Sequence, residues 1–558
     1  MPLRHRQHRI ALLPLDDRPC NAKFPRALAR MVDYDTPTPP PHLLGRFQSP
    51  GNCEELGTWL QRTAGEVDCA VVSLDMLAYG GLVASRTAAT PLEVARRRLD
   101  VLRDIRQAHP DLSIYASSTI MRLSVTASSD CAARHGELVR RYSELISGSR
   151  SEEQQAELEE IEEELPPEVL GEYLAARARN HQLNCYAVEL ASEGVLDFLA
   201  LTQEDAAPNG PHVEEQAALR SLIQEREVGD RVMIYPGADE AGMTLLVRFI
   251  HQHMLRTPTV AVVYSSEDGA DRIAPFEDRP VRETVSAHIA ATGLEEAVGP
   301  AAADICLFVS APAAYSREEE GQDDERCLQR CSELEEFVES IGSQLQAERP
   351  TVVCDLAFPN GADPALTQLL FDNLEIHRLA AYAAWNTAGN SLGSALAHGA
   401  MRLIALQDKG AFDLAYHVGQ LDTMRYLALL DSLIDSEKTH MQFLLTRFVD
   451  DWAYQALVRQ RATEYVGERL RNSAFDLAEG AAEAEEFVRA QLAQIAHELY
   501  LEQFLGRRCV RVGTGDDSAD LVLCELEDVQ IRLPWGRLFE VDLDFDFGVQ
   551  MVANRSPA

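Results

Sequence analysis

One local pattern recurs nine times in the first 390 residues: a short apolar run, rich in β-branched residues, followed at once by polar residues, Gly or Pro. It stands in RIALLPLDDRP, CAVVSLDMLAYGG, LSIYASSTIMR, LDFLALTQEDAAPNG and RVMIYPGADEAG. It returns in TVAVVYSSEDG, ICLFVSAP, TVVCDLAFPNG and LAAYAAWNTAGN. Runs without polar alternation describe strands buried on both faces, hence a parallel sheet covered by helices. Amphipathic stretches such as PLEVARRRLDVLRDIRQAHP lie between them. Strand and helix in alternation predict an α/β fold with right-handed crossovers. Nine strands are one more than a closed eight-stranded barrel needs. The expectation is a (β/α)8-like barrel, or an open parallel sheet, over residues 1–405.

An acidic helical insertion at about 147–180 falls between the third and fourth strands. Continuous helical periodicity marks 406–505 as a helical domain, and 506–558 reads as a small β-rich C-terminal segment. The formal charge of −38 disfavours nucleic acid, because such a surface repels phosphate backbones. The 11 cysteines are scattered. The closest two, Cys327 and Cys331, form no zinc-type pair, and Cys69, Cys306 and Cys354 sit in apolar runs as buried thiols would. The apolar run near the N-terminus is too short for a signal peptide core, and no segment has the length of a membrane span. The expected location is a reducing cytoplasm, with no membrane partner.

In either architecture the polar residues gather at the carboxyl ends of the strands, where parallel α/β folds build active sites. Asp16, Asp17 and Arg18 follow the first run. They serve either sugar or phosphate recognition or a cap with an Asp–Arg pair. Asp75 precedes Gly80, Gly81 and Arg86. Arg122 offers an anion clamp or an ordinary ion pair. Two acidic pairs end successive strands, Glu204–Asp205 and Asp239–Glu240. Glycoside hydrolysis needs two carboxyls in different environments, one holding a proton near neutral pH and one ionised. The competing reading of each pair is a solvated helix start. Asn360, Asn386 and Asn390 supply amides for sugar hydroxyls, and Trp385 a face for a pyranose ring, against a reading as turn chemistry.

No GxSxG elbow, GxGxxG fingerprint or P-loop follows a strand, so no cofactor is expected. Asp16, Asp75, Asp205, Asp239 and Asp355 offer an alternative, a metal-dependent hydrolase or lyase using Mg²⁺ or Mn²⁺. The shortage of His at the strand ends argues against zinc. A second alternative is a non-catalytic carbohydrate or metabolite sensor.

The segments LPLDDRP, DMLAYGGLVASR, YPGADE and WNTAGNSLG resemble a bacterial family known as domain of unknown function 4127, over most of the chain to LPWGRLFE. From about 197 to 400 the order of segments is also similar to O-GlcNAcase-type β-N-acetylglucosaminidases. That resemblance implies Glu204 as the acid orienting the substrate acetamide and Asp205 as general acid, with Asn360 and Asn386 on sugar hydroxyls. Those enzymes carry Asp at the first place, so Glu204 departs from their pattern. GADE also resembles the GGDE motif of another hexosaminidase family, which nominates Asp239 and Glu240 instead. The leading expectation is hydrolysis of a glycoside of an N-acetylated amino sugar, with a small carbohydrate as the partner.

Overall fold

The computed structural model describes residues 8–553, apart from 149, 314–323, 418, 420–421 and 514–517. All nine expected strands form, with two further strands of two residues each. The first sheet is parallel. It comprises β1 (His8–Leu13), β2 (Tyr34–Asp35), β3 (Cys69–Ser73), β4 (Ser113–Ile120), β5 (Phe198–Gln203) and β6 (Val232–Pro236), in the order β2-β1-β3-β4-β5-β6. The second is also parallel. It comprises β7 (Thr259–Tyr264), β8 (Glu295–Glu296), β9 (Ile305–Ser310), β10 (Thr351–Asp355) and β11 (Ala381–Ala383), in the order β11-β10-β9-β7-β8.

Why the runs lack polar alternation is visible in β1 and β3. Ile10, Leu12, Cys69 and Val71 enter the core on one face of the sheet. Ala11, Leu13, Ala70 and Val72 enter a separate core on the other, under Leu56, Leu99 and Leu183. The second sheet repeats this, with Leu307 and Val352 on one side and Phe308 and Val353 on the other. Burial on both faces selects apolar residues at every position.

The expected closed barrel does not form among the described residues. β6 ends the first sheet and β7 lies in the second. Helix Ala241–His253 packs on β3, β4 and β5, helix Ala388–His417 on β9, β10 and β11, and the two helices pack on each other. Two helical layers thus hold the sheets apart, and one apolar core runs through all four layers. The open parallel alternative therefore describes each half. Gly393 makes the close approach possible, because a Cβ there would collide with the side chain of Glu240.

Helices Asp130–Ile146, Glu152–Glu164 and Pro167–Ser192 separate β4 from β5, where the acidic insertion was expected. The expected boundary at 405/406 falls inside helix Ala388–His417. Beyond it, helix Thr423–Arg447 continues into a π-helical segment, Phe448–Val458. The widened turn gives Asp451 two tasks outside its own helix: its carbonyl accepts from Ala362 N (2.8 Å) and its carboxylate from Ala384 N (2.7 Å). The tail is a three-stranded antiparallel sheet of β12 (Arg508–Val512), β13 (Ala519–Arg532) and β14 (Asp542–Ala553). It shares a core with helix Ala481–Gln503 and the outer face of the second sheet.

Among the described residues no helix is long and apolar enough to cross a membrane. Cys69, Cys306 and Cys354 are fully buried free thiols, while the side chain of Cys327 lies outside the described residues.

Candidate functional site

The carboxyl ends of both sheets open on a cavity of about 540 Å³ whose walls include Glu204, Asp205, Asp239, Arg18, Arg86 and Arg122. The loop after β1 folds back on itself: Arg18 donates to Asp16 through its backbone N (3.1 Å), Nε (3.0 Å) and Nη2 (2.7 Å). The same guanidinium reaches Asp239 after β6, with Nη2 to Oδ1 at 2.5 Å and Nη1 to Oδ2 at 3.2 Å. Asn21 Nδ2 bridges the two acids, at 2.9 Å from Asp16 and 3.3 Å from Asp239. Two carboxylates thus share one buried arginine. Burial raises the Asp239 carboxyl to about 6; Arg18 opposes this, and the charges of Asp16 and Glu204 add to it.

Across the cavity the stoichiometry is different. Arg86 Nη2 donates to Glu204 Oε1, and Arg122 Nη2 lies 2.5 Å from Asp205 Oδ2. Two guanidiniums thus meet two carboxylates, with Arg122 Nη1 also 3.7 Å from Glu204 Oε1. Arg86 is further held by Thr126 Oγ1 (2.9 Å) and Arg122 by Ser124 Oγ (2.9 Å). Glu204 Oε2 has no hydrogen-bond partner among the described residues although the side chain is only 7% exposed.

The amides close the third side. Asn386 Nδ2 donates to Asp239 Oδ2 (3.4 Å), and Asn390 Oδ1 accepts from Asp239 N (3.2 Å). Asn360 N donates to Asn386 O (2.8 Å). Backbone strain gathers here. Of twelve described non-glycine residues with positive φ, five line the cavity: Asp205, Phe276, Asn360, Asn386 and Trp535. Such conformations cost free energy, persist where the surroundings enforce them, and cluster at functional sites.

Other expected residues lie behind the walls. Asp75 is buried and accepts from Thr119 N and Oγ1, both at 3.0 Å, which ties the end of β3 to β4. Burial raises its carboxyl to about 6 against those two donors. Asp17 accepts from Trp535 Nε1 at 2.5 Å. Glu240 is not in the cavity: it is fully buried, accepting from Ala238 N (2.9 Å) with His288 Nε2 at 3.6 Å. Its chain direction carries it into the interface between the two central helices. Trp385 donates to Ser394 Oγ (3.0 Å) and borders a small side cleft of about 30 Å³ rather than the wall of the main cavity. Asp355 is spent on the backbone of Ala357 (3.1 Å) and Asp363 (2.6 Å). The five aspartates of the metal alternative do not converge, and among the described residues no three His, Cys, Asp or Glu side chains form a metal-holding group.

Several residues were not anticipated. Arg86 ends a quoted motif, but its pairing with Glu204 is a contact across 118 positions. Trp535, Arg537 and Phe539 come from the far C-terminus to wall the cavity, and Trp535 lies over Arg18 at 4.8 Å. A Trp beside a turn, in LPWG, was the signal. Glu277 is buried and accepts from Gly389 N (2.8 Å) in the first turn of helix Ala388–His417. Burial pushes its carboxyl up to about 8, against that N–H. Its signal was EDRP at 277–280, which repeats the DDRP of 16–19 with one change.

Among solved structures, the carboxyl transferase domain from Rhizobium etli pyruvate carboxylase matches over 99% of this chain and 89% of its own, at 9% identity and a TM-score of 0.17. The complete multifunctional pyruvate carboxylase from Rhizobium etli matches over 99% of this chain and 49% of its own, at 10% identity and a TM-score of 0.17. Likeness at that level carries no argument about fold or reaction. No curated protein matches the chain. One family model does match, over residues 10–544, and the chain belongs to that family, described as a protein of unknown function (DUF4127).

Proposed function

We propose that the cavity hydrolyses a glycosidic bond of an N-acetylated amino sugar. One observation carries the reading: a buried carboxyl raised to about 6, Asp239, which shares a single arginine with Asp16, lies in one cavity with two carboxylates matched by two arginines and with three asparagine amides. Acidic groups whose environments differ in this way are what acid–base catalysis of glycoside cleavage requires.

Asp239 protonates the departing glycosidic oxygen. The acetamide oxygen of the substrate attacks C1 as the C1–O bond breaks. The carboxylate of Glu204, in the cavity wall, receives the acetamide N–H and so orients that attack. Water then opens the cyclic intermediate, giving its proton to Asp239 and its hydroxyl to C1. Asn360 and Asn386 bind ring hydroxyls. The reading keeps for Glu204 the role implied by the O-GlcNAcase-type resemblance. It moves proton donation from Asp205 to Asp239, because Asp239 shares its one arginine, Arg18, with Asp16, whereas Asp205 has Arg122 at 2.5 Å and, among the described residues, no second carboxylate on the same Nη2. The reaction takes place in a reducing cytoplasm, where the buried thiols stay free.

The test is direct. The purified chain should release nitrophenol from nitrophenyl N-acetylglucosaminide or N-acetylgalactosaminide, in the α or β series, and the Glu204→Gln variant should lose that activity. A wild-type protein inert toward every such glycoside would sink the proposal.

A further inference from the structure

Helix Asp130–Ile146 borders three adjoining spaces. Ala132 and His135 face a cavity of about 360 Å³. Ala133, Gly136, Glu137 and Arg140 face the central cavity of about 540 Å³ that holds the carboxylates. Arg141 and Glu144 face a third, of about 390 Å³. Among the described residues the first and third spaces have no wall residue in common, and each borders the central one, so the carboxylates lie between two flanking spaces. Ala132 to Glu144 spans roughly 18 Å at the helical rise per residue.

The three spaces share walls. Val83, Arg86, Val125 and Thr126 line both the first and the central cavity. Arg140 and Phe276 line both the central and the third. The flanks differ in chemistry. The first carries Val83, Val125 and Val169 with Tyr79, suited to the apolar face of a ring. The third carries Arg140, Arg141 and Glu144, suited to hydroxyls and carbonyls. The central cavity already lies within the volume range of a whole small-molecule site. A single monosaccharide leaves the flanks without an occupant.

We infer that the substrate is an oligosaccharide laid along helix Asp130–Ile146, with units on both sides of the carboxylates, and that an internal bond is cleaved. This deepens the glycosidase reading and rests on it. Water is the co-reactant: its hydroxyl ends on C1 of one fragment and its proton replaces the one Asp239 gives to the other.

Calorimetry on the full-length Asp239→Asn protein, with N-acetylglucosamine and its β-1,4-linked dimer to hexamer, tests the inference. Affinity should rise at least tenfold from monosaccharide to trimer. Wild-type protein should first cut the hexamer into dimers, trimers and tetramers, as read by mass spectrometry. Ala132→Trp and Asn209→Trp fill the first and third cavities from half-exposed and exposed positions. Each should pull the trimer-to-monosaccharide affinity ratio toward one. Equal affinity at every length, or release of one terminal unit at a time, overturns the inference and leaves the glycosidase reading standing. If neither monosaccharide nor any oligomer binds, N-acetylglucosamine fails as the sugar, and this inference with it.

Discussion

Two buried charge clusters face the same cavity and differ in stoichiometry. On the side built by the ends of β3, β4 and β5, Glu204 and Asp205 meet Arg86 and Arg122, two guanidiniums to two carboxylates. On the side built by β1 and β6, Asp16 and Asp239 share Arg18. Balanced charge in a low dielectric is held by mutual attraction, and removing one partner strands the other. Unbalanced charge is relieved by taking up a proton. The first cluster is thus suited to stay charged and the second to exchange a proton, although all four acids end parallel strands.

The largest expected effect tests the balanced side. Glu204→Gln strands Arg86, whose charge burial and Arg122 already disfavour and Glu204 supports. Loss of one partner of a buried pair should cost about 3–5 kcal/mol of unfolding free energy. Asp239→Asn leaves Asp16 and Arg18 paired and should cost about 1 kcal/mol or less. Denaturant titration of the two variants measures the difference, and equal losses would break the comparison.

Catalysis should rank them the other way for leaving-group dependence. Asp239→Asn should lower turnover of an unactivated N-acetylamino-sugar glycoside on the order of 10²-fold. The loss should shrink for a nitrophenyl leaving group, which departs without a proton. Should Asp205→Asn show this dependence while Asp239→Asn does not, the acid lies on the balanced side.

What could be read from the sequence follows from the range of the forces involved. Strands buried on both faces leave a local apolar signature, and all nine were legible. Their division into two sheets was not, because it depends on helices Ala241–His253 and Ala388–His417 packing on each other, a contact between segments far apart in the chain. The carboxyl-end position of Glu204, Asp205, Asp239, Asn360 and Asn386 was legible for the same local reason. Which adjacent acid faces the cavity was not: Asp239 points in and Glu240 into the helix interface. The balance of charge was also hidden, since Arg86 meets Glu204 across 118 positions and Arg18 meets Asp239 across 221.

pH sharpens the comparison further. The Asp239 carboxyl is raised to about 6, so its proton is lost as pH rises through that value. Turnover of glycosides needing a proton should therefore fall about tenfold per unit above that range, a limb absent from Asp239→Asn. The sign for stability is the same. The folded state binds this proton more tightly than the unfolded chain, whose Asp titrates near 3.9. The contribution is fully present below about 4 and lost as pH rises through about 6. In a plot of unfolding free energy against pH, Asp239→Asn should lack that descent and Glu204→Gln should retain it.

The smallest expected effect concerns the aromatic cover of the unbalanced side. Trp535 lies over Arg18 at 4.8 Å and donates its indole N–H to Asp17 at 2.5 Å. Burial raises the Asp17 carboxyl and that N–H opposes the rise. Trp535→Phe keeps an aromatic wall but removes the donor, leaving Asp17 short of a partner beside Arg18. One hydrogen bond of this kind is worth about 1 kcal/mol, so KM should rise a few-fold while kcat barely changes. The two constants separate the roles. If kcat falls as far as in Asp239→Asn, the tail sets the protonation of the Asp16–Arg18–Asp239 cluster and belongs to the proton-exchanging side, not only to the wall that holds the substrate.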